Sequence, residues 1–197
     1  MMLVEEGQVP EAALPVDALK AHLRLGTGFD EESVQDGVLG SFLRAAMAAV
    51  EARTSKALIT RGFVLTLNDW RDPCAQVLPL APVESVTDVT LVDGYGVATT
   101  VDPALYRLQP DAHAPRLRPL GAALPRVAGA GAVEIRFRAG FGAAFTDVPA
   151  DLAQAVMLLA AHYYEYRDET SLGEGCMPFG VASLVARYRP LRLGVAG

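Results

Sequence analysis

The sequence predicts an α+β fold, a mainly helical body with a β-rich insertion between its N-terminal and C-terminal helices. Three observations lead there. Apolar residues recur at spacings of three and four before residue 58 and again after residue 147. Between these stretches β-branched and aromatic residues come in short runs, punctuated by Pro and Gly. The helical and strand patterns are grouped in blocks, which argues against an alternating α/β architecture.

Residues 1–13 form an N-terminal extension to which the pattern assigns nothing. Residues 14–58 read as the N-terminal helices. Leu14-Pro15-Val16-Asp17 is a helix start, with Pro in the first turn where its missing N–H costs little. Leu19, Leu23 and Leu25 give a short apolar stripe, stopped by Gly26-Thr27-Gly28. A longer helix is predicted over 30–55, from Val34, Val38, Leu39, Phe42, Ala45, Ala46, Ala49 and Val50. Asp30, Glu31 and Glu32 at its start and Arg53 and Lys56 at its end suit the helix dipole.

Residues 59–146 form the β-rich insertion. Phe63 to Leu67 is a strand, and Val77 to Val83 is a short strand running into a Pro-rich bend. Residues 85–92 alternate loosely through Val86, Val89 and Leu91. Asp93-Gly94-Tyr95-Gly96 signals a hairpin, with 97–101 as the return strand. Tyr106-Arg107-Leu108 and Arg116-Leu117-Arg118 are short strand candidates in a loop-rich stretch. Residues 132–139 alternate cleanly, with Val133, Ile135 and Phe137 on one face and Glu134, Arg136 and Arg138 on the other.

Residues 147–190 return to helix. Asp147 reads as the N-cap and Pro149 sits in the first turn. Leu152, Ala155, Val156, Leu159, Tyr163 and Tyr166 mark one face. Residues 170–178 read as a loop, 179–189 as a last helix stopped by Pro190, and 191–197 as a tail without pattern.

Composition narrows the function. The chain has 197 residues and a net charge of −6, from 17 Lys+Arg against 23 Asp+Glu. Gripping a nucleic-acid backbone needs a basic surface, so that class is disfavoured. Hydrophobic residues make up 51%, enough for a packed core. A mean hydropathy of +0.25 suggests apolar surface that a partner subunit covers. The N-terminus lacks the basic start and apolar run of a signal peptide, and the apolar stretch 150–161 is far short of the ~20 residues that span a bilayer. The expectation is a soluble protein made in the cytoplasm.

Catalytic motifs are missing. Phosphate-binding and dinucleotide-binding loops, a nucleophile elbow and paired histidines on a helix are all absent from the sequence. Cys74 and Cys176 read as free thiols, and His22, His113 and His162 lie too far apart for metal-ligand spacing. No cofactor, metal or catalytic residue is expected. The densest cluster is His162-Tyr163-Tyr164-Glu165-Tyr166-Arg167. A catalytic reading makes His162 a base oriented by Glu165 or Asp168. The plainer reading is an amphipathic helix end whose tyrosines bury their rings. It is preferred because no nucleophile or metal partner accompanies the histidine. Trp70 is either an interface anchor or a cap on the sheet core. Arg187 and Arg189 suit a helix C-terminus, whereas Arg192 lies beyond Pro190 and suits an acidic partner.

Taken in order, these stretches resemble the head–tail connector (adaptor) proteins of long-tailed phages and gene transfer agents. The resemblance is carried by Leu14-Pro15-Val16-Asp17-Ala18-Leu19-Lys20-Ala21-His22-Leu23-Arg24 and by the helix end Val50-Glu51-Ala52-Arg53-Thr54-Ser55-Lys56-Ala57-Leu58-Ile59-Thr60. It continues through Leu78-Pro79-Leu80-Ala81-Pro82-Val83, Val92-Asp93-Gly94 and Phe137-Arg138-Ala139-Gly140-Phe141-Gly142. The last parts are Val148-Pro149-Ala150-Asp151-Leu152-Ala153-Gln154-Ala155, Tyr163-Tyr164-Glu165-Tyr166-Arg167 and Met177-Pro178-Phe179-Gly180-Val181. They span residues 14–189.

The resemblance implies a small helical bundle with a β-rich insertion, about twelve copies of which form a ring. The ring sits below the portal, joins it to the stopper or tail-terminator proteins and continues the channel for double-stranded DNA without binding it specifically. It also implies that the C-terminal segment docks on the portal, which makes Phe179, Arg187, Arg189 and Arg192 portal-contact candidates. Trp70, Tyr163 and Tyr166 are candidates for other interfaces. Assembly is expected in the bacterial cytoplasm, with the protein then residing at the head–tail junction of the particle. Two other classes compete: a hydrolase or transferase using His162 and Glu165, and a monomeric module binding a ligand on its β-rich face.

Overall fold

The computed structural model describes residues 1–25, 32–167 and 178–189. The chain divides into two compact units. One comprises Met1–Gln8 with Ile59–Phe141, the other Val9–Leu58 with Gly142–Gly197.

The first unit is all β. Its strands are β1 (Met2–Glu5), β2 (Arg61–Leu67), β3 (Gln76–Val77), β4 (Val83–Val92), β5 (Ala98–Thr100), β6 (Tyr106–Gln109), β7 (Arg116–Pro119) and β8 (Ala132–Ala139). Five form one antiparallel sheet in the order β1-β2-β8-β4-β5, and three form a second in the order β3-β7-β6. The period of two in β8 sets the faces of the larger sheet. Val133, Ile135 and Phe137 pair across with Leu67, Leu65 and Phe63, and all six are buried. The Phe63 and Phe137 rings stack at 5.7 Å.

The opposite face carries charge. Arg136 reaches Glu134 at 3.1 Å, Glu6 at 3.4 Å and Asp88 at 3.8 Å, and Arg138 reaches Glu84 at 3.3 Å. The loose alternation of β4 has a physical cause. Register shifts between Val83 and Ser85 and between Val86 and Asp88 let Val86 and Val89, three residues apart, face Phe137 and Ile135 on one side. The hairpin turn after β4 closes with Gly96 at φ +83, a conformation that glycine adopts without penalty. Strand β1 comes from the segment to which the sequence pattern assigned nothing. Met2, Leu3, Val4 and Glu5 pair with Thr66, Leu65, Val64 and Phe63, and Arg61 donates to Glu5 at 2.6 Å.

Among its described residues the second unit holds four α-helices: α1 (Val16–His22), α2 (Glu32–Thr54), α3 (Ala150–Glu165) and α4 (Phe179–Val185). Leu39, Leu43, Ala46, Met47 and Val50 of α2 are buried, as are Leu152, Ala155, Val156, Leu159 and Ala160 of α3. The many alanines on both faces favour close approach of the helix axes. Leu19 of α1 and Val181 and Val185 of α4 are also fully buried. Lys20 pairs with Asp36 at 2.6 Å, linking α1 to α2. Glu51 accepts the Leu58 N–H at 2.7 Å, and Thr54 donates to the Val50 carbonyl at 2.7 Å, so the end of α2 is well satisfied.

Two expectations need correction. The protein is not a mainly helical bundle: its described residues carry eight strands in two antiparallel sheets beside the four helices. The physical reason is that the strands bury their own core and make a unit of comparable weight, joined by β1 from the N-terminus. Asp147 is not the N-cap of α3. It ends a 3-10 turn, Phe145–Asp147, and its carboxylate accepts the Ala144 N–H at 2.9 Å, while Pro149 occupies the capping position. Among the described residues, no helix is long and apolar enough to cross a membrane.

Candidate functional site

Several of the side chains singled out from the sequence lie at the ends of α3 or just beyond α4. At the C-terminal end of α3, Tyr163 is half-buried, and that burial pushes its hydroxyl above the usual tyrosine range. Tyr166 is 42% exposed, and its ring lies 4.6 Å from that of His162. Tyr164 packs edge-on against Phe42 of α2 at 6.1 Å, and the Arg167 guanidinium lies 4.9 Å over the Tyr164 ring. This helix end is a cluster of rings with one exposed tyrosine. Glu165 is exposed, and no hydrogen bond joins it to His162 among the described residues. Nor do the described residues bring three metal-ligating side chains together.

At the other end of α3, Asp151 gathers the C-terminal segment. Arg187 meets its carboxylate at 2.7 Å and donates to the Tyr188 hydroxyl at 2.6 Å, which in turn donates to Asp151 at 2.8 Å. The Arg187 guanidinium also lies 4.7 Å over the Tyr188 ring. The dipole explanation considered for Arg187 is thus joined by a specific carboxylate, 36 residues earlier in the chain. Arg187 remains 70% exposed, and Arg189 is exposed. Phe179 opens α4, but its side chain lies outside the described residues, as do Arg192, Cys176 and Asp168.

The Asp151 cluster has a pH signature. Burial, and then the hydrogen bond to Asp151, raise the Tyr188 hydroxyl above its usual range near 10. A raised folded-state value stabilises below the unfolded pKa and is lost as pH rises through the folded one. The wild-type melting temperature should therefore fall faster above pH 10 than that of Tyr188→Phe. Parallel curves from calorimetry would contradict this.

Trp70 sits in the β unit. It is 8% exposed, and its indole N–H donates to the Pro125 carbonyl at 2.7 Å. These are the contacts of a core residue. Cys74 is an exposed free thiol. Sequence reasoning did not anticipate the exposed apolar edge formed by Met1, Met2, Leu3 and Val4, because its strand pairs only with residues some 60 positions away.

Comparison with solved structures decides the family. Over its whole length, the chain matches a protein in the neck of an empty gene transfer agent (GTA) particle, computed with C6 symmetry. The identity is 53%, the TM-score 0.90, and 99% of that chain is covered. This chain belongs to the head–tail connector (adaptor) family. A protein in the virion of a native gene transfer agent particle is 52% identical, with a TM-score of 0.86. Another, in the neck of a native particle computed with C12 symmetry, is 50% identical, with a TM-score of 0.85. Each match covers 100% of this chain and 99% of the other. No family model matches the sequence, and neither does any curated protein. The connector assignment carries a structural role in the head–tail region of a phage-like particle.

Proposed function

We propose that this protein is a ring-forming adaptor subunit, about twelve copies of which sit between the portal and the stopper or tail-terminator proteins and continue the DNA channel. The observation that carries this reading is the full-length similarity, at 50–53% identity, to proteins of particle necks reconstructed with six- and twelve-fold symmetry. The role is mechanical, without a catalytic step. Assembly takes place in the bacterial cytoplasm, and the ring then remains at the head–tail junction.

Charge supports passage of DNA without a grip. Twelve copies at −6 each bring about −72 to the ring, and tight duplex binding would need Lys and Arg at the phosphates. The portal-facing segment is residues 179–197. Its cations in the sequence are Arg187, Arg189 and Arg192, and Arg187 reaches the portal by exchanging Asp151 for an acidic group there. Tyr166 and Tyr163 lie toward other contacts of the ring.

The test is capture by the portal protein, with full-length chain against a chain lacking residues 179–197. The full chain should be retained and the truncated one lost. Equal retention would contradict the docking assignment. Circular dichroism of the truncated chain must first match the wild type, because Val181 and Val185 are buried.

A further inference from the structure

We propose that successive copies join through their five-stranded sheets, with β1 of one copy pairing in parallel with β5 of the next. This rests on the ring reading given above. Strands β1 and β5 are the two ends of the sheet, and every residue in both is exposed. Eleven large apolar side chains are exposed among the described residues. Four lie in or next to β1, Met1, Met2, Leu3 and Val4, and two, Tyr95 and Val97, in the turn that leads into β5. Open edge strands are templates for another strand. A cyclic ring also requires two different surfaces that meet head to tail.

Strand direction agrees with this pairing. All four neighbour pairs in the sheet are antiparallel, so β1 and β5, separated by three strands, run the same way. The rotation between neighbours in a ring of about twelve copies is only a twelfth of a turn and nearly preserves direction, so β1 and the next copy's β5 meet in parallel.

Backbone parity imposes an independent condition. Glu6 donates to the Gly62 carbonyl at 2.9 Å, which turns Glu6, Val4 and Met2 toward β2 and leaves the N–H and C=O of Leu3 and Glu5 pointing outward. Asp93 donates to Val97 at 3.0 Å and Val101 to Val89 at 2.8 Å, which leaves the groups of Ala98 and Thr100 outward. Leu3 lies on the apolar face, opposite Leu65. Thr100 lies on the charged face, in line with Thr90 and Glu134. An antiparallel ladder would set outward residues opposite each other and so join the apolar face of one copy to the charged face of the next. A parallel ladder sets Leu3 opposite Thr99, which shares its face, and bonds Leu3 to Ala98 and Thr100. Only the parallel arrangement keeps both faces continuous. Strands about 4.8 Å apart give each copy roughly 24 Å of belt, so twelve copies close at a sheet diameter of about 92 Å or more.

The test uses cysteine pairs in particle necks, in a Cys74→Ser, Cys176→Ser background. Necks carrying Leu3→Cys with Thr99→Cys should give, after mild oxidation, a denaturing-gel ladder extending toward twelve copies. Val4→Cys with Thr99→Cys, on opposite faces, should stay monomeric. Thr100→Pro removes only an outward N–H. It should melt within a few degrees of wild type and enter necks at least tenfold less well. Intact rings without a ladder, or normal entry of a folded Thr100→Pro chain, overturn the pairing and leave the ring reading standing. Necks that contain no ring of this chain overturn both.

Discussion

Phe137→Ala is expected to destabilise the β unit by about 3–5 kcal/mol. Phe137 is 1% exposed, stacks on Phe63, and sits on β8 between β2 and β4. Neither neighbouring strand can move into the space without breaking its ladder, so a cavity remains. Against a total stability of roughly 5–15 kcal/mol for a domain, this loss is a large fraction. For a unit of this size it corresponds to a drop in melting temperature of more than about 12 °C. The adjacent Arg138→Ala, on the charged face with a half-exposed guanidinium, should cost no more than about 1 kcal/mol. Urea denaturation of the two variants reads the contrast. Similar losses in both would mean that the two faces of β8 are wrongly assigned.

Gly140→Ala is expected to be of comparable severity. Gly140 follows β8 with φ +148, where an L side chain is strained. A Cβ there would lie 2.3 Å from both N and Cα of Thr60 and 2.6 Å from the carbonyl carbon of Ile59. These are backbone atoms leading into β2, so relief requires moving a strand. The Gly140 N–H also donates to Pro82 at 3.0 Å, just before β4. Backbone strain and overpacking each cost about 1–3 kcal/mol and act together here. The expected result is a chain with little soluble folded fraction at 37 °C, against a near-neutral Gly121→Ala, whose Cβ would meet nothing within 4 Å. Equal yields of the two would contradict the close approach at Gly140.

How much of this was legible in the sequence follows from how local each signal is. Strand β8 was readable because Val133, Ile135 and Phe137 alternate without interruption, and α3 because Leu152, Ala155, Val156 and Leu159 hold a helical period. Strand β4 was readable only loosely, since its bulges break the period. Strand β1 carried no signal: four residues become a strand only because β2 offers an edge. The same limit explains the fold class. Periodicity names the elements but not which of them share a core, so strands with a core of their own were read as an insertion into a helical body. In the candidate site, the tyrosine cluster was visible as a run from Tyr163 to Tyr166, whereas the partner of Arg187 was not. Asp151 lies 36 positions away, and only the packing of α4 on α3 brings the two together.

The central claim is that this chain builds a ring in the neck. The most direct measurement is a cryo-electron microscopy reconstruction of necks purified from particles that contain this protein. The account predicts a closed ring of about twelve copies of this chain directly beneath the portal, with the DNA path through its centre. A neck in which the portal meets the stopper or tail terminator with no ring of this chain between them would contradict it.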